Sequence, residues 1–178
     1  MNSGQELTLY VSCPPGLEPA LAEELKTLRM RFDFNSGGTD NGNLQGEDPG
    51  GIEFNASLED VYRCNLNLRV ASRVVVRLGT FHAAAFSELR KKGSRLPWKQ
   101  FLYPGANLHF KVTCHKSKLY HSDAVAERVL GAVQDHFHSG NANTFTSDPA
   151  KPGQLVLVRL DHDLCTISID SSGELLHR

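Results

Sequence analysis

The 178-residue sequence contains no apolar run near the roughly 18–20 residues that a bilayer-spanning helix needs. Its opening, Met1–Tyr10, lacks the basic stretch and apolar core of a secretory signal. Neither sign of charge is in excess: 19 Lys and Arg face 20 Asp and Glu, for a formal net charge of −1. That excludes a uniformly basic nucleic-acid binder but permits a local basic face beside an acidic remainder. Cys13, Cys64, Cys114 and Cys165 make no CxxC pair and no Cys/His cluster at metal-ligand spacing. In a reducing compartment such thiols read as small buried hydrophobes. The glycines match neither GxGxxG nor a P-loop, so a cofactor-binding α/β core is not expected. No internal repeat is visible. These absences leave a soluble chain, expected in the cytoplasm.

What is present is a 40% hydrophobic chain, enough for one medium α/β core or two small modules. Leu7, Leu9, Val11 and Cys13 alternate with polar residues, the period of a half-buried strand, and Pro14-Pro15-Gly16 ends it. Leu17, Leu21, Leu25 and Leu28 then recur at helical spacing, with Glu18 in the first turn and Lys26 and Arg29 in the last. Phe32 and Phe34 suggest a short strand, and the polar stretch from Asn35 to Gly51 reads as a loop. Ile52 and Phe54 mark the next strand. Ser57 and Asp60 offer a capping box to a helix with Leu58, Val61, Cys64, Leu68 and Ala71 on its face. A strand through Val74–Val76 to Phe81 closes a split-βαβ pattern.

A second module begins near Phe86. A helix carries Arg90, Lys91 and Lys92 and is interrupted by Gly93; Pro97 and Trp98 open a short helical turn. Leu108, Phe110, Val112 and Cys114 alternate with His109, Lys111, Thr113 and His115, giving a strand with one apolar and one basic face. After the connector His115–His121, Ser122 can cap a helix that buries Val125, Val129, Val133 and Phe137. Leu155–Leu160 is apolar on both faces, hence a central strand, and Cys165, Ile167 and Ile169 mark the last one.

Basic residues concentrate in two stretches, Arg90, Lys91, Lys92, Arg95 and Lys99, and then Lys111, His115, Lys116 and Lys118 with Tyr120 and His121 beside them. Cations interleaved with an aromatic ring suit phosphates and an unstacked base. A solvated helix face with ordinary turn lysines accounts for the same composition. Asp161, His162 and Asp163 read as a polar hairpin turn rather than an acid–base pair. His136 and His138 close a helix and lack a third ligand, so neither catalytic nor metal-ligating residues are assigned.

Several segments together carry a resemblance: Leu9-Tyr10-Val11-Ser12-Cys13-Pro14-Pro15-Gly16-Leu17-Glu18; Gly51-Ile52-Glu53-Phe54; Leu58–Leu66; Leu68–Val74; His115–His121; and Ser168–Arg178. In this order they resemble bacterial large-subunit ribosomal RNA guanine-N2 methyltransferases that carry a THUMP domain. The resemblance implies an α+β chain, with a ferredoxin-like domain over residues 1–83 (its polar loop at about 35–51) packed with a THUMP RNA-binding domain over 84–178. It further implies that the S-adenosylmethionine-dependent catalytic domain follows C-terminally. The chain itself is then expected to be no enzyme and to hold no cofactor. The expected partners are structured RNA, ribosomal in kind, and that methyltransferase domain, with neither DNA nor membrane. Arg90, Lys91, Lys92, Arg95, Lys99, Lys111, His115, Lys116, Lys118, Tyr120 and His121 are the expected RNA contacts. Two alternatives stay open: a protein-interaction module anchored at Trp98–Phe101, and the THUMP portion of another RNA-modifying enzyme, one acting on tRNA included.

Overall fold

The structure, a computed structural model, describes residues 6–30, 50–137 and 145–176. The expected strand at Phe32 and Phe34, the polar stretch up to its last two residues, and His138 lie outside these residues. Two compact units divide the chain: residues 1–76 with 170–178, and residues 77–169.

The first unit contains β1 (Leu7–Ser12), α1 (Glu18–Thr27), β2 (Gly51–Ala56), α2 (Leu58–Asn67) and the opening of β3 (Arg73–His82). Its strands run in the order β2-β1-β3, and β1 pairs antiparallel to β2 with Leu9 opposite Phe54. The alternation read from the sequence puts Leu7, Leu9 and Val11 inside, and Leu21, Ala22 and Leu25 of α1 and Val61 and Cys64 of α2 are buried as well. Leu58, which periodicity assigns to the buried face, is instead the first residue of α2 and remains 57% exposed. Helix periodicity counts spacing but not whether the first turn still overlies the sheet. Both arms of the capping box form: the Asp60 N–H donates to Ser57 Oγ, and the Ser57 N–H donates to the Asp60 carboxylate. Residues 170–176 belong to this unit. Asp170 binds Arg73 at 2.9 Å, and the Ser171 N–H donates to the Val74 carbonyl at 3.0 Å.

The second unit holds the rest of β3, α3 (Phe86–Gly93), a single 3-10 turn (Trp98–Gln100), β4 (Leu108–His115), α4 (Ser122–Phe137), β5 (Gln154–Asp161) and β6 (Leu164–Asp170). Strand order is β3-β6-β5-β4; β5 is central, as its two apolar faces require. β4 and β5 are parallel and joined through α4, whereas β5 and β6 form an antiparallel hairpin. Trp98 is fully buried in the core with Val125, Val129, Val158 and Ile167, and its indole N–H donates to the Gly93 carbonyl at 2.8 Å. An aromatic this enclosed presents no anchor to a partner.

Cys13, Cys64 and Cys165 are buried and Cys114 half-buried, all four as free thiols. Burial pushes the Cys64 and Cys165 thiols up to about 12, so they pack as hydrophobes.

Candidate nucleic-acid interface

β4 carries out the two-faced pattern of its sequence. Phe110, Val112 and Cys114 pack on the core, while Lys111, Thr113 and His115 stand exposed on the other side. In the parallel register Lys111 lies beside Leu157, Thr113 beside Arg159, and His115 beside Asp161. The β5–β6 hairpin turns at His162 and Asp163, both in the left-handed region at φ 50° and 63°. A two-residue hairpin loop with both central φ positive matches the twist of its strands, and His and Asp enter that region more readily than most residues. The conformation still costs about 1–2 kcal/mol per residue. Local hydrogen bonds offset it. The His162 N–H donates to the His115 carbonyl (3.1 Å), the Asp163 N–H to Ser117 Oγ (3.0 Å), and the Lys118 N–H to Asp163 Oδ1 (2.7 Å). Ala83 N–H, just beyond β3, donates to the Asp163 carbonyl at 2.8 Å.

These bonds tie the β4–α4 connector to the hairpin and the end of β3, and they fix where the connector's cations project. Lys116 (φ 44°), Lys118, Tyr120 and His121 are exposed there. The Tyr120 and His121 rings lie 4.1 Å apart between centroids at a 41° tilt, forming one composite aromatic surface with Tyr120 68% exposed. Lys92, from the first basic stretch, is fastened to the end of β3, where its Nζ donates to the His82 carbonyl at 2.7 Å. Of the acidic neighbours at this end, Glu88 pairs with Lys92 at 3.8 Å, and Asp161 is engaged by other partners. Asp161 receives His115 and His162 on one oxygen and Arg159 on the other. The hydrogen bonds from His115 and then His162 hold its carboxyl down at about 2, against the opposing effect of partial burial. Lys111, Lys116 and Lys118 make no ion pair among the described residues. Asp123 occupies the first turn of α4 and takes up part of the positive dipole there, so the surface depends on side-chain cations more than on the helix end.

The rest of the first basic stretch goes elsewhere. Arg90 is engaged by Asp135 of α4 through two short bonds. Lys99 Nζ sits 5.9 Å from the centroid of the Phe137 ring, at the last residue of α4. Ser94, next to Arg95, accepts a bond from His136 at 2.8 Å through its carbonyl. A 16-residue helix is ~24 Å long, so Arg95 and Lys99 lie most of a helix length from Lys116 and Lys118. Lys91 is exposed on α3. Two contributors escaped the sequence reading: Arg159, and the meeting of His115 with Asp161 and His162. Their partners depend on the register of a parallel pair 46 residues apart, which no local pattern encodes.

Residues 8–75 match the RlmL ferredoxin-like domain and residues 83–170 the THUMP domain. Among curated relatives, the chain is 31% identical over 173 residues to the ribosomal RNA large subunit methyltransferase K/L of Syntrophotalea carbinolica, covering 97% of this chain and 22% of the relative. It is 32% identical over 171 residues to the protein of that name from Methylococcus capsulatus, covering 95% of this chain and 21% of the relative. The chain thus spans about a fifth of the length of these relatives. A crystal structure of a predicted N6-adenine-specific DNA methylase from Listeria monocytogenes has the same fold, with a TM-score of 0.75 at 24% identity, over 96% of this chain and 42% of that one. The chain belongs to the RlmL ferredoxin-like and THUMP domain families, whose models together account for most of its length.

Proposed function

We propose that this chain is the RNA-gripping portion of an S-adenosylmethionine-dependent methyltransferase that modifies N2 of a guanine in large-subunit ribosomal RNA. The observation that carries the reading is the exposure of Lys116 and Lys118 on the same β4–α4 connector as the Tyr120–His121 ring pair. Ammonium groups there would hold phosphates, and the rings would stack an unpaired base. Lys111 extends the same face along β4. Arg95, Lys99 and Lys91 would contact a second phosphate run only if the RNA spans the length of α4. The exposed cations and rings of this surface do not fit a methyl-donor pocket, which would enclose most of its ligand. In this reading the donor is held by a separate C-terminal methyltransferase domain, the chain has no turnover of its own, and the protein works in the cytoplasm.

The test is equilibrium binding to structured RNA at ~50 and ~200 mM salt. Contact with about five phosphates gives a log–log slope of about −3.5 to −4.5. A slope in that range on hairpins of large-subunit ribosomal RNA, lost on duplex DNA, supports the proposal. Equal or tighter binding to tRNA moves the assignment to another RNA-modifying enzyme. Absence of salt-dependent binding overturns the reading.

A further inference from the structure

The end of the THUMP sheet holds a second arrangement that RNA recognition does not require. His115 ends β4, Asp161 ends β5 beside it, and His162 is the first turn residue after Asp161. Both imidazoles direct Nδ1 at the same carboxylate oxygen, Asp161 Oδ1, at 2.8 and 2.7 Å. The three candidate ligand atoms lie within 4.8 Å of one another. The ring centroids are 5.6 Å apart and the planes cross at 77°, an edge-to-face arrangement. We propose that His115, Asp161 and His162 form a binding site for a divalent transition-metal ion of the zinc class.

The chemistry favours that class over others. Two imidazoles and one carboxylate are the borderline ligands that zinc takes at about 2.0–2.2 Å, whereas magnesium and calcium take oxygen sets. Tetrahedral bonds of that length separate the ligand atoms by ~3.3 Å, so each Nδ1–Oδ1 contact must open by about half an ångström. To ligate through Nδ1 each ring must hold its one proton on Nε2: a neutral ring moves the Nδ1 proton to Nε2 through solvent, and an imidazolium gives its Nδ1 proton to water as the ion enters. The two imidazole ligand atoms, within 4.8 Å of each other, must settle at the same ~3.3 Å spacing, and the scaffold that carries them is tied down. The His162 N–H is bonded to the His115 carbonyl, the hairpin is bonded to Ser117, Lys118 and Ala83, and Arg159 Nη2 lies 3.3 Å from Asp161 Oδ2, orienting the carboxylate from behind. The residues projecting around the site are Lys116, Lys118 and Asp163 from the two loops and Arg159 from β5. Three protein ligands leave a fourth coordination position for an oxygen ligand. The ion would staple β4 to the β5–β6 hairpin, and the site stands whether or not the surface grips RNA.

The experiment uses the untagged 178-residue chain without RNA, titrated with Co²⁺ and followed by its visible absorption, then competed with Zn²⁺. One tetrahedral Co²⁺ per chain, displaced by Zn²⁺ and indifferent to Mg²⁺, is expected. His115→Gln and His162→Asn should each weaken binding at least about tenfold, and the pair should abolish it. Asn is chosen at 162 because it tolerates the left-handed backbone there. Should that variant fail to fold, His115→Gln alone decides, since its side chain is exposed on a strand. No Co²⁺ or Zn²⁺ binding by the parent chain, equal competition by Mg²⁺, or unchanged affinity in His115→Gln overturns the site.

Discussion

Arg90 and Asp135 form a two-pronged ion pair, Nε to Oδ2 at 2.6 Å and Nη2 to Oδ1 at 2.8 Å, which fastens α3 to α4. Gly131 makes room for it: a Cβ at that position would stand 3.2 Å from the guanidinium carbon. Asp135 raises the already high affinity of Arg90 for its proton, first through the hydrogen bonds and then through charge. The residue is therefore a clamp between helices before it is a phosphate contact. A double-mutant cycle with Arg90→Ala and Asp135→Ala should return a coupling of about 0.5–1 kcal/mol by urea unfolding, the range of a well-aligned pair that is nearly half exposed. Arg90→Ala should weaken RNA binding less than a charge change at Lys116. An effect as large would return Arg90 to the contact surface.

Lys116 and Lys118 have no ion-pair partner among the described residues, so their charge is available to phosphate. Replacing each with Gln should reduce the salt slope of RNA binding by about 0.7–0.9 and leave urea unfolding unchanged within about 0.5 kcal/mol. A slope that stays constant in the double variant would remove the connector from the interface.

Trp98 fills the centre of the second unit with no exposure and satisfies the Gly93 carbonyl. Trp98→Ala should cost about 3–5 kcal/mol by chemical denaturation. Trp98→Phe keeps most of the volume and leaves the Gly93 carbonyl with the Leu96 N–H alone, and should cost about 0.5–1.5 kcal/mol. A tolerated alanine would contradict the packing described.

The capping box of α2 predicts a pH dependence of known sign. Burial alone would raise the Asp60 carboxyl, but the Ser57 amide and hydroxyl and the charge of Arg63 outweigh it and set it below its ordinary value. A carboxyl lowered in the folded state contributes stability that is complete above its unfolded pKa, about 3.9, and is lost as pH falls through the lower folded value. Asp60→Asn should cost about 1 kcal/mol at neutral pH. The difference between parent and variant should shrink as urea unfolding is repeated below about pH 4. A difference that grows in acid would reverse the assignment.

Element types and their order were legible because each rests on a short-range period. Leu7-Leu9-Val11 and the Lys111-Thr113-His115 side of β4 alternate every second residue, and Val125-Val129-Val133 fall on one helical stripe. The Ser57–Asp60 box and the turn at His162-Asp163 are likewise local: each is closed by residues no more than a few positions apart. The sequence by itself therefore determined the α+β character, the central place of β5, the hydrophobic role of the buried cysteines and the cationic connector. Tertiary structure decided which cations act together. It drew Arg90 into a pair 45 residues away, carried Lys99 to the far end of α4, brought Lys92 to the end of β3, and set His115 against Asp161 through a parallel register. Such partnerships come from the docking of helices and strands through the hydrophobic core. A one-residue shift in that docking would leave every local period intact and change every one of these neighbours.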